Sequence, residues 1–202
     1  MQPRIMKHQV TFDEFYEIVR EDQKADLIDG VIHLASPESL EGNDLVGWTL
    51  VVVRVFVRRR NLGHVYHERV AFRLAKHQSP EPDIAFVRKD RLHLAKSGYF
   101  NGPPDVAFEF VSPESVERDY EIKRLKYQEA GVLEYWIIDE HLQTVQLLRL
   151  GTDGLYMKAE PVDGRFESRA IAGFHLRPEW LWQSPLPDEL QTVLDMLASV
   201  SP

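Results

Sequence analysis

The chain has 202 residues, of which 44% are apolar and 28% charged, as in ordinary soluble globular proteins. This length suits one domain. Cysteine is absent, which excludes disulfides, zinc-thiolate sites and cysteine nucleophiles and favours an intracellular, cytoplasmic location. The net charge of -8 argues against a general nucleic-acid coat, although Arg58–Arg60 and Lys123–Lys126 form local basic runs that are typical of solvated faces.

No stretch predicts a membrane segment or a signal peptide. The longest apolar run, Leu45–Val57, is broken by Arg54 and is too short to span a bilayer. The N-terminal residues lack an apolar core of signal-peptide length.

The first third of the chain predicts a helix, a hairpin and a second helix. Thr11–Arg20 is the first helix, because Thr11 and the glutamate three residues later fit a capping box. The hairpin turns at Asp29-Gly30, between the predicted strands 25–28 and 31–35. The stretch 44–60 is rich in valine, which favours a strand, but its length favours a helix ending at Gly63.

Three strands are predicted next. Alternating residues predict one strand over His64–Ala75, and a second begins at Pro82-Asp83 and ends at Val87. The third, Pro104–Ser112, is apolar on both faces, which is typical of a strand buried on both sides. It nevertheless contains Glu109, and an unpaired buried carboxylate is costly.

The remaining chain predicts a helix, a strand and a C-terminal meander. Ser112-Pro113 offers a cap and an N1 proline for a helix that runs to Ala130 and closes at Gly131. Later elements are a strand over 134–139, meander strands over 144–150, 155–160 and 165–171, and a short helix from residue 186.

Which carboxylates meet depends on how two strands pair. If the strands that contain Asp83 and Glu109 are adjacent and antiparallel, these two carboxylates converge and Asp105 lies at the opposite end. In a parallel arrangement Asp105 would be the better partner of Asp83. The sequence leaves both arrangements open.

Two converging carboxylates suit a hard divalent cation such as Mg2+ or Mn2+, which takes oxygen ligands. Such an ion polarises a phosphate and supplies hydroxide near neutral pH. The alternative is that Glu109 simply pairs with a nearby arginine or lysine.

Lys123 is a further candidate for the same site. On the helix that follows Glu109, residues Asp119, Lys123 and Tyr127 are four apart and share a face. If that face is turned to the sheet, the ammonium reaches a bound phosphate or its attacking water. The alternative is an ordinary salt bridge between Asp119 and Lys123.

Other catalytic candidates are weaker. His64 and His67 would not share a strand face, and a pair of histidines alone is not a metal-ligand set, so we predict that both are surface residues. Ser112 has no evident histidine and aspartate partners for a serine nucleophile.

Several motifs together resemble the Uma-type group of restriction endonuclease-like proteins, which belongs to the PD-(D/E)XK nuclease superfamily. They are "PD" at Asp83, "GPPDVAFEFVSPES" from Gly102, the spacing of Asp119, Lys123 and Tyr127, and "AGVLEYWIID" from Ala130. The resemblance extends over most of the chain.

The resemblance implies an α/β (α+β) fold with a mixed central sheet flanked by helices and followed by a C-terminal β-meander. It implies a single domain over residues 1–202, with its core at about 24–140. It places the motif acids on Asp83 and Glu109 and moves the lysine to Lys123, because Val111 occupies the usual lysine position. Asp26 matches a further acidic position in "DLIDG", and Asn43 replaces a histidine common in this group.

These observations predict a Mg2+- or Mn2+-dependent endonuclease acting on DNA. Asp83 and Glu109 would bind the metal, Lys123 and Asp26 would assist, and Asp119 and Tyr127 would support Lys123. The alternatives are a nuclease fold that binds without turnover, and a hydrolase of a smaller phosphodiester. A homodimer is expected from the superfamily's habit of cutting two strands.

Overall fold

A computed structural model describes residues 9–19, 23–36 and 39–199. Its centre is a six-stranded mixed sheet. The strands are β3 (Gly63–His67), β5 (Ile84–Arg88), β7 (Val106–Val111), β8 (Glu134–Asp139), β9 (Thr144–Leu150) and β10 (Tyr156–Ala159). Their order across the sheet is β10-β9-β8-β7-β5-β3. Strands β7 and β8 pair in parallel, whereas the other neighbours in this sheet are antiparallel. The predicted mixed sheet with flanking helices is therefore confirmed.

One face of the sheet is covered by helix α2 (Leu40–Arg60). Ser39 caps this helix by accepting a hydrogen bond from the Gly42 N–H at 2.8 Å. The buried side of α2 packs on the even-numbered residues of β7, including Phe108. Odd-numbered residues of β7 therefore point to the other face, because successive strand residues alternate.

The other face carries helix α3 (Arg124–Ala130), which is entered through a π-helical segment, Arg118–Lys123. Tyr127 of α3 is fully buried against Ala107 and Val111 of β7. Gly131 closes the helix with a φ of 80°, as the sequence predicts. The predicted helix start at Ser112-Pro113 is wrong, because residues 113–115 form a turn.

A small N-terminal layer lies beside α3. It consists of α1 (Phe12–Ile18) and the antiparallel hairpin of β1 (Ala25–Ile28) and β2 (Val31–Leu34). Thr11 and Glu14 form the predicted capping box of α1. The hairpin turns at Asp29-Gly30, where both φ angles are positive, as its sequence predicts. The end of the predicted first helix, at residue 20, lies outside the described residues.

Gly63 begins β3, as the sequence predicts, but two other predictions for the region after α2 are wrong. The helix ends before Gly63, at Asn61, which adopts a left-handed conformation. A Cβ on Gly63 would lie 2.0 Å from the Val87 carbonyl oxygen, so this close strand approach requires glycine. The single strand predicted over residues 64–75 is broken, because Glu68 and Arg69 both have positive φ.

Beyond this break, β4 (Ala71–Phe72) pairs in parallel with β6 (Tyr99–Phe100). A 3-10 helix over Lys89–Leu94 follows β5 directly.

The C-terminal region follows the predicted meander in outline. Strands β9 and β10 extend the central sheet, whereas β11 (Phe166–Glu167) and β12 (His175–Leu176) form a separate pair. Helices α4 (Pro178–Leu181) and α5 (Glu189–Ser199) complete the described chain. Among the described residues, no helix has both the length and the apolar character needed to cross a membrane.

Candidate active site

Asp83 and Glu109 come together at one end of the sheet. Strands β5 and β7 are antiparallel with Ile84 opposite Phe108, and one further step of this register brings Asp83 opposite Glu109. Both side chains are almost fully buried. The Phe110 N–H donates to Asp83 Oδ2 at 2.7 Å, which fixes the carboxylate beside β7. Of the two pairings that the sequence left open, the structure has the antiparallel one.

Asp105 lies at the opposite end of β7. Its Oδ2 accepts a hydrogen bond from the Arg88 N–H at 2.8 Å. Its Oδ1 lies 2.9 Å from Arg91 Nη1 and 3.3 Å from Arg88 Nε. Asp105 therefore joins the start of β7 to the end of β5, away from Asp83.

Lys123 brings three carboxylates together. Its Nζ lies 3.0 Å from Glu109 Oε2, 3.1 Å from Asp26 Oδ2 and 3.4 Å from Asp119 Oδ1. The side chain is 3% exposed, so this member of the basic run is not on a solvated face. The residue ends the π-helical segment, a form that is rare and frequent at functional sites.

Tyr127 supports Glu109 directly. Its hydroxyl donates to Glu109 Oε1 at 2.7 Å. A second buried hydroxyl, that of Tyr135, donates to the Asp119 carbonyl oxygen at 2.9 Å. The two tyrosines hold Glu109 and the backbone that carries Asp119 in place.

Asp26 links the hairpin to this cluster. Its Oδ1 accepts a hydrogen bond from the Glu81 N–H at 2.8 Å, and Arg118 Nε lies 3.5 Å from its Oδ2. Glu81 is buried as well, and its Oε2 accepts from the Ala25 N–H at 3.1 Å. The hairpin is thus attached through Asp26 to both the β5 entrance and Lys123.

Lys24 is a member of the buried cluster that the sequence interpretation missed. Its ammonium pairs with Asp83 Oδ1, and its side chain is 20% exposed. A signal was present, since Lys24 lies two residues before Asp26 at the start of a predicted strand. Alternate residues of a strand share a face, so both side chains point into the same cluster.

Burial and charge set the protonation of the cluster. Burial raises the pKa of Glu109 to about 8, against the opposing effect of Lys123. Burial alone would raise the pKa of Asp26 as well, but the Lys123 ammonium and the Glu81 N–H outweigh it and lower that pKa. Burial would lower the pKa of Lys123, yet its carboxylate neighbours raise it well above the usual value. Both shifts favour an ion pair between the Asp26 carboxylate and the Lys123 ammonium.

The sequence matches the Uma2 family, described as a putative restriction endonuclease, over residues 12–179. The chain belongs to the Uma2 family. A crystal structure of a putative nuclease from Anabaena variabilis has the same fold, with a TM-score of 0.71 and 20% sequence identity. That alignment covers 86% of this chain and 97% of the other. A comparison with curated proteins finds no significant match.

The Uma2 match includes the cluster from Lys24 to Tyr127 in full. Val111 is buried against Tyr127, so no lysine enters the site from the usual superfamily position. Asn43 is exposed in the first turn of α2. His64 and His67 are exposed as well, as predicted, and Ser112 donates its backbone N–H to Ser115 Oγ at 2.9 Å.

The donor set of this Uma2 site fits a hard cation that keeps most of its waters. Asp83 and Glu109 each retain unused oxygen lone pairs, and Mg2+ is commonly bound through one or two carboxylates. No group of three or more His, Cys, Asp or Glu side chains converges on a metal position within the described ranges. The carboxylates of Asp26 and Asp119 are directed to Lys123 instead.

A cleft in the described part of the Uma2 chain lies away from this cluster. It has a volume of about 740 Å³ and lies between the start of α2 and the loop after α4. Leu45, Glu140 and Trp182 contribute to its wall, whereas Asp83, Glu109 and Lys123 do not. Cleft size alone would therefore point away from the buried charged cluster.

Proposed function

We propose that this protein is a metal-dependent endonuclease that hydrolyses DNA phosphodiester bonds. The observation that carries the proposal is the opposed pair Asp83 and Glu109, with the buried ammonium of Lys123 3.0 Å from Glu109. Strongly perturbed buried groups of this kind are typical of functional sites. Membership of the Uma2 family supports the same reaction class.

Asp83 and Glu109 would hold Mg2+ or Mn2+. A bound ion of this kind neutralises phosphate charge and lowers the pKa of a coordinated water. The chain itself keeps the two carboxylates in register, because the Phe110 N–H fixes Asp83 and the Tyr127 hydroxyl fixes Glu109. Such outer partners orient metal ligands and tune their basicity.

Lys123 would supply the fixed positive charge beside Glu109. From this position its ammonium stabilises the negative charge of the phosphate or orients the attacking water. Asp26 and Asp119 hold the ammonium from two other sides, at 3.1 and 3.4 Å. In this scheme Asp26 acts through Lys123, or through water, and Asp119 has a supporting role.

Plasmid nicking tests the proposal. Purified protein is incubated with supercoiled plasmid and Mg2+ or Mn2+, beside the variants Asp83→Ala, Glu109→Ala and Lys123→Ala. We expect metal-dependent nicking that disappears with chelator and in all three variants. Nicking that persists in the correctly folded variants would assign the activity to a contaminant or another site, and it would overturn the proposal.

A second candidate is a DNA-binding or scaffold protein that keeps the nuclease fold without turnover. The observation that favours it is the pairing of Asp83 with Lys24 and of Glu109 with Lys123, which leaves neither carboxylate without a cationic partner. Plasmid binding without cleavage, at any metal concentration up to the millimolar range, would support this candidate. Metal binding without cleavage of DNA would instead favour a smaller phosphodiester as substrate.

A further inference from the structure

Lys24 forms an ion pair with a different carboxylate from the other cations of the cluster. Its ammonium pairs with Asp83 Oδ1, whereas Lys123 and Arg118 contact Asp26. The other oxygen of Asp83 accepts the Phe110 N–H. The Lys24 ammonium therefore occupies the Asp83 oxygen that accepts no backbone hydrogen bond, which is the oxygen that a bound cation would need.

The two lysines of the cluster also differ in their freedom to move. Lys123 is 3% exposed and lies within 3.4 Å of three carboxylates, so it has no route out of the cluster. Lys24 is 20% exposed and has Asp83 as its ion-pair partner among the described residues. Its backbone is fixed, because the Lys24 carbonyl oxygen accepts the Ala35 N–H at 3.0 Å. The flexible side chain can thus turn to solvent while the hairpin stays in place.

We propose that Lys24 and the divalent cation alternate at Asp83. In the metal-free protein the ammonium pairs with this carboxylate, and it turns outward when the cation binds. The inference rests on the proposed function, since it needs a cation at Asp83 and Glu109. The physical reason is repulsion, because two positive charges cannot share one buried carboxylate at contact distance without a large energetic cost.

In the metal-free protein, the Lys24 ammonium stabilises the buried carboxyl groups of the cluster. Asp83 disfavours the ionised form of Glu109, and the Lys24 ammonium offsets part of that effect because it interacts with both carboxyl groups. The same interaction makes Lys24 a competitor that lowers the affinity for the metal. Removal of its charge must therefore strengthen metal binding, whereas removal of a ligand weakens it.

Amine labelling of the wild-type protein tests the movement directly. The protein is acetylated briefly with and without Mn2+, and the labelled lysines are quantified by mass spectrometry. Lys126 is the internal control, because its side chain is also 20% exposed and its ammonium pairs with Asp29, 2.9 Å away in the hairpin turn. We expect Mn2+ to raise the labelling rate of Lys24 on the order of tenfold, with no change at Lys126. Unchanged or reduced labelling of Lys24 at a saturating metal concentration would overturn the proposal.

Calorimetry of variants gives the second measurement. We expect Lys24→Met to bind Mn2+ about tenfold more tightly than the wild type, and Lys24→Arg and Lys126→Met to bind it as the wild type does. Equal or weaker binding by a folded Lys24→Met would contradict the alternation while leaving the nuclease proposal intact. If the wild-type protein bound no metal at all, both proposals would fall. If Lys24→Met did not fold, the labelling of the wild type would still decide.

Discussion

The ammonium of Lys123 lies 3.0 Å from the carboxylate of Glu109, although the two residues belong to different elements on the same side of the sheet. The same ammonium reaches Asp26 in the hairpin. One buried lysine therefore joins the central strand β7, the helix that follows it and the N-terminal layer. Its loss should affect both stability and activity.

Lys123→Met should destabilise the metal-free protein by about 3–5 kcal/mol, because it leaves buried carboxylates without their cation. Urea denaturation measures this change. The control is Lys126→Met, where a partly exposed pair is lost and the change should stay within about 1 kcal/mol. Equal stability of the two variants would show that Lys123 does not hold the cluster together.

A comparison of Asp83→Asn with Asp105→Asn should distinguish an effect on the cleavage rate from an effect on stability. Asp83→Asn should lower the cleavage rate by about a hundredfold or more, because it removes a ligand charge at the site. Asp105→Asn should cost about 2–3 kcal/mol of stability, because it weakens the charged contacts to Arg88 and Arg91. Its cleavage rate per folded molecule should equal that of the wild type. Loss of cleavage in a folded Asp105→Asn would contradict the assignment of the active site to Asp83 and Glu109.

Tyr127→Phe removes the hydroxyl that donates to Glu109. We expect a loss of about 1–3 kcal/mol in stability and a cleavage rate about 10- to 100-fold lower, as for other groups that orient metal ligands. Tyr156→Phe is the matched control, since its hydroxyl donates at 2.9 Å to the Val132 carbonyl oxygen, outside the cluster. That variant should lose stability but not cleavage. A similar loss of cleavage in both would assign the effect of Tyr127 to general destabilisation.

Protonation of His175 should destabilise the folded protein as the pH falls. Burial, followed by the charges of Arg165 and Arg177, lowers the pKa of His175, and Glu167 opposes them. The unfolded chain then binds more protons than the folded chain as the pH falls through the ordinary value of 6.5. The contribution of His175 to the free energy of unfolding should therefore decrease between pH 7.5 and pH 5.5, whereas that of Glu109, with its pKa raised to about 8, increases. His175→Gln should reduce that decrease, and an unchanged slope in urea titrations would contradict this role.

The sequence predicted correctly those parts of the fold that depend on residues close together in the chain. The capping box of Thr11 and the Asp29-Gly30 turn depend on residues a few positions apart, and both are present as predicted. The break after β3 was not predictable in this way. Glu68 and Arg69 adopt positive φ, which their residue types do not favour, so the tertiary contacts around them impose it.

The sequence indicated which side chains form the buried cluster more completely than how they contact one another. The sequence named Asp83, Glu109 and Lys123, but it could not choose between Asp83 and Asp105 pairings without the strand direction. It described Asp119, Lys123 and Tyr127 as one helical face, whereas Tyr127 donates to Glu109 and Lys123 ends a π-helical segment. Lys24 was missed because a charged residue before a strand is ordinarily a solvated one.

We propose that Asp83 and Glu109 together bind a divalent cation. Calorimetric titration of Mn2+ into the metal-free protein tests it most directly, with Asp83→Asn and Glu109→Gln as comparisons and Asp105→Asn as the control. We expect Mn2+ binding in the wild type and in Asp105→Asn, and loss of that binding in each of the other two variants. Absence of binding in the wild type at millimolar Mn2+, or unchanged binding in Asp83→Asn and Glu109→Gln, would contradict it.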